Sequence, residues 1–534
     1  MRLRESNIER LTQGTFDALV VGGGINGAVS AAALSGQGAK VALIDRGDFA
    51  GFTSQESSNL AWGGIKYLET WEFGLVRKLC MSRNRMMRHY PSRVREIRFL
   101  AVIDRGFRYH PAFLWMGTWL YWLIGNCFTR IPRLKSVSDI QAEEPILNVD
   151  GCAGGFEYSD AYLHDNDSRL VFNFIRSALN MGCVATNYVE SLGARRGDDG
   201  TWRVQARDTI DGRSYEIRSK VLINAAGPFV DAHNRLTGQK TQHRHVLSKG
   251  IHLIVDKLTP NRRVLAFFAD DGRLSFIIPL GVRTCIGSTD TRVESPVTHI
   301  TDDDRAFVLD NINKRLKLPR PLTTDDIVAE RCGVRPLAVR GESGRDTDWM
   351  LLSRKHVIEM NRPDAHISIF GGKLTDCINV GEEVSELVRQ LGIAMPYWGQ
   401  KWYGEPHPSI HEDFLHRARL LDLDRYTSPA SSEPLSSRLW RRYGARALDL
   451  LEDIREDPRQ AELLIKGTEY IRCEIKQAMH SEMIAKLEDF LRRRSKIALV
   501  ARKNDIRNAP GLFEACEILF GDKAREKFDE YFRE

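Results

Sequence analysis

Cysteine is sparse in this 534-residue chain, and what there is lies far apart. The nine cysteines, at 80, 127, 152, 183, 285, 332, 377, 473 and 516, never fall within twenty residues of one another. That spacing excludes a CxxC redox pair, a zinc ribbon and a small disulfide scaffold, and scattered thiols suit a reducing compartment. There is no low-complexity stretch and no internal repeat, which excludes a fibrous or solenoid architecture. The first fifteen residues, MRLRESNIERLTQGT, lack an apolar segment, so a secretory signal is not expected. Net charge is small as well, since 77 Lys and Arg against 71 Asp and Glu leaves +6. An excess of that size, spread evenly, would name no partner, so only its distribution carries information. Apolar residues at 42% and charged residues at 28% are ordinary for a globular chain. The length predicts two or three domains.

The first informative pattern begins at residue 16. FDALVVG (16–22) reads as a buried strand stopped by glycine. GGGINGA then supplies Gly22, Gly24 and Gly27 as G-x-G-x-x-G, followed by a helix of small residues, AVSAAALSGQG. The next strand, KVALIDR, ends on Asp45, eighteen residues beyond Gly27. Strand, glycines, helix and acid together make a dinucleotide-binding unit. Gly22 permits the tight turn, Gly24 lets the backbone approach a pyrophosphate, and Gly27 allows close helix–strand packing. The helix N-terminus faces the pyrophosphate, and Asp45 accepts from the ribose hydroxyls. A glycine-rich turn in an unrelated α/β protein would explain the glycines but not Asp45. Three further glycine-rich approaches follow: a polar loop running into GG (51–69), KVLINAAGPFVD (220–231) and FGGKLT (370–375). Their separation suits one long ligand threaded through the domain, which favours FAD over NAD.

Taken with GFEYSD (155–160), LSKGIHLIV (247–255), CIGSTD (285–290) and CGVRPL (332–337), these stretches resemble the FAD-dependent glycerol-3-phosphate dehydrogenases, within the D-amino-acid-oxidase-like flavoproteins. The likeness covers most of residues 15–390 and continues more weakly beyond. It implies an α/β fold: a discontinuous Rossmann-like FAD-binding domain (1–75, 150–245 and 350–395), an antiparallel substrate cap (246–349) and a C-terminal helical domain (405–534), with a boundary at GEPHP (404–408). Residues 76–149 are expected to form a basic and aromatic helical insertion. The resemblance also implies FAD contacts from Gly22, Gly24, Gly27, Asp45, Thr53, Ser54, Gly63, Gly64, Gly227, Asp290, Gly371, Gly372 and Thr375. On the substrate side it implies Arg335 and Arg354 as phosphate anchors, Lys373 near the reactive edge of the flavin, and Lys66 with Tyr67 opposite. His252 is the implied general base.

Each of these residues also has a structural reading: Arg335 as an ion-pair partner, His252 as a core histidine, Lys66 as a surface lysine. The chain departs from the family pattern at Asn59, Trp62 and Lys66, where Lys, His and Arg are usual. After GGKLT, T-Y-R is replaced by Asp376, Cys377 and Ile378. Losing an arginine and gaining a carboxylate beside Lys373 would make the pocket less hospitable to phosphate. The expected activity is oxidation of sn-glycerol 3-phosphate to dihydroxyacetone phosphate with electrons passing to membrane quinone. One alternative is a related flavin enzyme for another hydroxy acid, polyol or amine. Another is an FAD-binding membrane-surface protein without catalysis.

The positive charge is concentrated. Residues 77–108 hold ten Lys or Arg against Glu96 and Asp104, and PAFLWMGTWLYWLIGNCFT (111–129) then carries no charge. Trp115, Trp119 and Trp122 fall on one helical face. The segment reads as inserting into one leaflet of an anionic membrane, with a core or oligomer contact and a full span as the other readings. The cluster Arg492–Arg494 with Lys496 reads either as a membrane contact or as a solvated face. No nucleic-acid motif accompanies the charge. The expected location is the cytoplasmic side of the membrane, peripheral.

Overall fold

A computed structural model describes residues 3–269, 273–341 and 355–533. Its first sheet is built as the N-terminal pattern requires. Thr15–Val21, apolar and almost wholly buried, pairs in parallel with Val41–Ile44 on one side and Ser214–Asn224 on the other. The order across the sheet is Val357–Asn361, His366–Phe370, Ser214–Asn224, Thr15–Val21, Val41–Ile44, Val184–Thr186. Only the outer strand Val357–Asn361 and the hairpin Val189–Asp208 run antiparallel to their neighbours. The helix Ile25–Gly36 packs against Asp167–Asn180 and Cys377–Gln390. Its small side chains make that possible: a Cβ on Gly27 would stand 1.8 Å from the carbonyl oxygen of Gly22. This is the doubly wound α/β unit expected from the sequence.

The second sheet is larger and recruits more of the chain than 246–349. In order it runs Thr291–Val293, His243–Asp256, Arg283–Gly287, Leu274–Leu280, Arg263–Phe268, Val94–Asp104, Cys152–Leu163, Leu60–Ala61. Ala329–Arg340 pairs along nearly the whole of His243–Asp256. Two sequence expectations change here. Val94–Asp104, inside the stretch expected to be helical, is an interior strand. Its run of β-branched and aromatic residues, Val94, Ile97, Phe99, Val102 and Ile103, suits an interior strand, and the sheet buries it. Cys152–Leu163 belongs to this sheet and not to the FAD unit. The sheet is antiparallel except where Arg263–Phe268 runs parallel to Val94–Asp104.

Long-range pairing from this strand and from the preceding helix Phe73–His89 explains much of the basic run. Arg98 and Arg263, neighbours across the parallel pair, both reach Glu157, at 3.0 and 2.8 Å. Arg83 is 1% exposed and pairs with Asp160 at 2.7 Å, while Arg85 binds Glu382. The acids that answer these cations are distant in sequence, which is why the run looked unbalanced when read locally.

The helix Pro111–Ile124 lies on the surface, and no helix among the described residues is long and apolar enough to cross a membrane. Its tryptophans stack edge-on, Trp115 on Trp119 at 6.1 Å and Trp119 on Trp122 at 5.4 Å, and are half-buried. The exposed face instead carries Phe113, Met116, Leu120 and Leu123.

From Pro408 to Arg533 the chain folds as short helices. The cluster Arg492–Arg494 with Lys496 is neither a membrane contact nor a solvated face, because all four side chains are buried. Asp48 meets Arg493 at 2.7 Å and Arg494 at 2.8 Å, and Arg492 donates to the carbonyl of Gln55 at 2.6 Å. Lys496 pairs with Glu469 at 3.1 Å. Burial alone would raise the Asp48 carboxyl, but the two guanidiniums hold it below the usual carboxylate range. The cations are therefore the seam between the helical domain and the loop that follows Asp45.

Candidate active site

An open cleft of about 1130 Å³ runs along the C-terminal ends of the parallel strands. Of the residues expected to hold FAD, it is lined by Gly22, Gly24, Asp45, Thr53, Ser54, Gly227, Gly371 and Gly372. Ser54 Oγ accepts from the Ile25 amide at 3.0 Å, pinning the polar loop over the helix N-terminus. Gly371 and Gly372 hold φ of +62° and +108°, which bend the strand end His366–Phe370 around the cleft. The Asp45 carboxylate accepts from the Gly23 amide at 2.6 Å and the Gly47 amide at 2.8 Å. Burial outweighs those two bonds and pushes its pKa up to about 6. This donor and acceptor set fits FAD: glycines leave the helix N-terminus open to a pyrophosphate, and a half-buried acid stands at the strand end for a ribose.

Five expected cofactor residues lie elsewhere. Gly27 serves packing only. The Gly63 amide donates to Asp160 at 3.1 Å, and Gly64 forms the turn beside it. Thr375 is buried, with its hydroxyl 3.4 Å from the carbonyl oxygen of Trp62. Asp290 pairs with Arg335 and does not line the cleft. Conversely, sequence reading missed Arg46, Phe52 and Phe229. The Arg46 guanidinium stands 3.8 Å from the Phe229 ring and 4.9 Å from Phe52, offering a stacking wall at the cleft. Its only sequence signals were RG after Asp45 and the aromatic in GPF.

Two groups form the substrate side. His252 and Arg335 stand on facing strands, with Ser248 opposite Arg335 and Arg331 opposite His252 in the register. Glycine at 250 is required, since a Cβ there would meet the Arg335 guanidinium at 2.0 Å. Arg335 donates to the Thr289 carbonyl and to Asp290 at 3.1 Å, with Ser288 Oγ at 3.4 Å. The next residue, Pro336, lines the FAD cleft. His252 is buried, and its Nδ1 has no hydrogen-bond partner among the described residues. Burial, then the nearby Arg335 and Arg331 cations, push its pKa down to about 3, so the imidazole is neutral at physiological pH.

The second group is Lys373, whose ammonium lies 4.3 Å from the Tyr67 ring and 5.5 Å from Trp62. Trp62, a departure from the family pattern, thus supplies a ring to the cation. Tyr67 turns inward, whereas Lys66 on the same turn is exposed. Arg354 lies outside the described residues.

Asp376 and Ile378 take different positions from those expected. Ile378 is a buried core residue. Asp376 is also buried and does not charge the substrate pocket. It lies 2.8 Å from His356 Nδ1 and 3.5 Å from Lys78, and accepts from Ser82 at 2.8 Å. His356 Nε2 reaches Glu383 at 2.9 Å. Burial lowers the His356 pKa, but the two carboxylates more than offset it and leave it raised. Asn59, the third departure, accepts from Arg331 at 3.1 Å, where a lysine would set one buried cation against another.

Comparison with known proteins agrees with this geometry. Residues 17–352 match the family described as FAD dependent oxidoreductase, and residues 401–525 match the C-terminal domain of alpha-glycerophosphate oxidase. The chain is 31% identical to glycerol-3-phosphate dehydrogenase of Pseudomonas aeruginosa, over 91% of this chain and 92% of that protein. It is 28% identical to D-erythritol 1-phosphate dehydrogenase of Brucella abortus, over 90% of this chain and 94% of that one. Its fold is similar to that of the glycerol-3-phosphate dehydrogenase from Bacillus halodurans complexed with FAD, with a TM-score of 0.71 at 23% identity, covering 100% of this chain and 97% of that chain.

The raised Asp45 pKa gives a pH signature. As pH falls through about 6, the carboxylate protonates and loses a charge-assisted acceptor. FAD affinity of the flavin-free protein should then weaken by about tenfold between neutral and acidic pH, read by FAD fluorescence titration. Asp45→Asn should bind FAD weakly at every pH, and an unchanged pH profile in that variant would contradict the assignment. For folding without FAD the sign is opposite. A raised carboxyl stabilises the fold while protonated, and that contribution is lost as pH rises through about 6.

Proposed function

The chain belongs to the FAD-dependent oxidoreductases, is a flavin enzyme of the glycerol-3-phosphate dehydrogenase type with FAD as cofactor, and we propose that it oxidises sn-glycerol 3-phosphate to dihydroxyacetone phosphate, passing the electrons to membrane quinone. The observation that carries this reading is the pairing of a neutral buried histidine with an accessible arginine on one face of two strands. Side-chain exposure of Arg335 is 20%, so an incoming phosphate can join Asp290 on its planar fork. His252 Nδ1 is the atom proposed to take the proton of the substrate hydroxyl. Burial first, and then the two facing cations, make it a weak base. A phosphate on Arg335 would neutralise one of them and strengthen the base as substrate arrives. Lys373, held against Tyr67 and Trp62, adds positive charge on the far side. FAD, when bound, accepts the hydride from the substrate carbon. The names of the relatives support a phosphorylated polyol, and the erythritol phosphate relative makes a longer polyol phosphate the second reading.

The membrane partner is proposed from the surface of Pro111–Ile124. Phe113, Met116 and Leu123 are each more than half exposed and share a face with Leu120. Exposed Ile131 and Leu134 lie beside Arg130 and Arg133 in the following segment, and exposed Arg77 binds the carbonyl of Ile124. An apolar ridge edged by cations suits an anionic lipid interface, each buried side chain contributing about 1.5–3 kcal/mol.

Anaerobic titration of the holoenzyme with glycerol 3-phosphate, followed by flavin absorbance, tests the reaction. Bleaching is expected in the wild type and should require at least about a hundredfold more substrate in Arg335→Ala. Bleaching by erythritol 1-phosphate alone would favour the second reading, and no bleaching by either would sink both. The surface is tested by replacing Phe113, Met116, Leu120 and Leu123 with glutamine together. Binding to anionic vesicles should collapse while reduction by substrate persists; equal vesicle binding by variant and wild type would contradict the membrane assignment.

A further inference from the structure

We propose that the crevice between the helix Asp167–Asn180 and the turn Gly444–Arg446 is a second anion site, which takes a phosphate group. It encloses about 600 Å³ and is lined by Arg93, Arg176 and Arg446 together with Asn173, Ser177 and Asn180. No carboxylate lines it among the described residues. It shares no residue with the FAD cleft or with the group around His252 and Arg335.

The three cations are short of counter-charge. Arg93 donates from Nε to the Arg441 carbonyl at 2.8 Å, and its two terminal nitrogens make no hydrogen bond or ion pair among the described residues. The acid that most affects it, Glu405, accepts instead from the Ser92 amide at 2.9 Å. Among the described residues Arg446 reaches only the side-chain oxygen of Asn180, at 3.1 Å. Arg176 donates to Asn173 at 2.6 Å and to the Arg442 carbonyl at 2.7 Å. Its one ion pair among the described residues, with Glu482, is long at 3.8 Å, and Glu482 is already held by Arg169 at 2.7 Å. Burial and then like charge from Arg169 hold the Arg176 guanidinium well below its ordinary value. Three guanidiniums around an open crevice with a share of one carboxylate is an arrangement an anion relieves.

Guanidinium forks match phosphate oxygens, and the amides and hydroxyl of Asn173, Asn180 and Ser177 supply further donors for one. The backbone keeps the crevice open. A Cβ on Gly444 would stand 3.4 Å from Pro406 and 3.6 Å from the Arg93 terminal nitrogen, narrowing it. Its walls come from the helix Asp167–Asn180, the segment at 90–93 before the strand Val94–Asp104, the linker at 404–406 and the helical domain, so a bound phosphate bridges these parts and stabilises their docking.

The test uses FAD-loaded Arg335→Ala protein, in which the proposed substrate anchor is gone. Thermal unfolding and calorimetric titration are run with inorganic phosphate, with glycerol 2-phosphate and with chloride at matched ionic strength. Inorganic phosphate should raise the unfolding temperature and bind with a saturable isotherm, whereas chloride should not. A matching response to glycerol 2-phosphate extends the site to phosphate esters, and a response to inorganic phosphate alone assigns it to the free ion. Adding Arg446→Gln, a partly exposed residue with a single hydrogen bond, should weaken binding by at least about tenfold without loss of FAD, and Arg93→Gln should do the same. No phosphate-specific shift, or a shift unchanged by Arg446→Gln, would overturn the proposal.

Discussion

The structure depends most heavily on the carboxylate of Asp48. It takes Arg493 at 2.7 Å, Arg494 at 2.8 Å and the Asn187 amide at 2.8 Å, and it is fully enclosed. Asp48 stands at the start of the loop whose residues Ala50 to Ser54 line the FAD cleft. The arginines come from a turn more than 400 residues later, so the flavin wall is completed by the helical domain. Removing one partner of such a buried pair strands the other charge in a low dielectric, at a cost of about 3–5 kcal/mol. The helical domain is on this account a structural part of the cofactor site and not an appendage to it.

The same logic of long-range charge pairing recurs through the interior. Arg441 and Arg442, buried on the helix Leu435–Tyr443, both reach Asp165, at 2.9 and 2.7 Å. Arg438 of that helix meets Glu474 at 2.7 Å. Asp165 sits just before the helix Asp167–Asn180 that packs against the dinucleotide-binding unit. The pairs on Asp165 tie the helical domain to the dinucleotide-binding unit, while Arg438–Glu474 braces the helical domain internally. Burial and charge also set what the substrate side can do. Burial, and then Arg335 and Arg331, keeps His252 neutral, and Asp290 pairs with Arg335.

What could be read in the sequence follows from what is local. The first strand, the glycines, the small-residue helix and Asp45 form a unit of some thirty residues, and its geometry was legible in full. The loop at Thr53 and Ser54, Gly227, and the pair Gly371 and Gly372 were also found, because glycine and strand-end patterns are local signals. Non-local pairing was not legible. The strand Val94–Asp104 was hidden inside a basic run whose balancing acids lie at Glu157, Asp160 and Glu382. Arg492–Arg494 read as exposed because nothing nearby in sequence neutralises them. Asp376 read as a pocket charge because its partners, His356 and Lys78, come from other elements. The roles of Asn59, Trp62 and Asp376 depend on neighbours that spacing does not name.

The measurement that bears most directly on this account is a double-mutant cycle between Asp48 and Arg494, with FAD affinity and unfolding free energy as readouts. Asp48→Asn and Arg494→Met should each weaken FAD binding by at least about tenfold and cost about 3–5 kcal/mol of stability. The double variant should lose less than the sum, with a coupling of about 1–3 kcal/mol. If either single variant keeps wild-type affinity for FAD, the helical domain does not build the cofactor site.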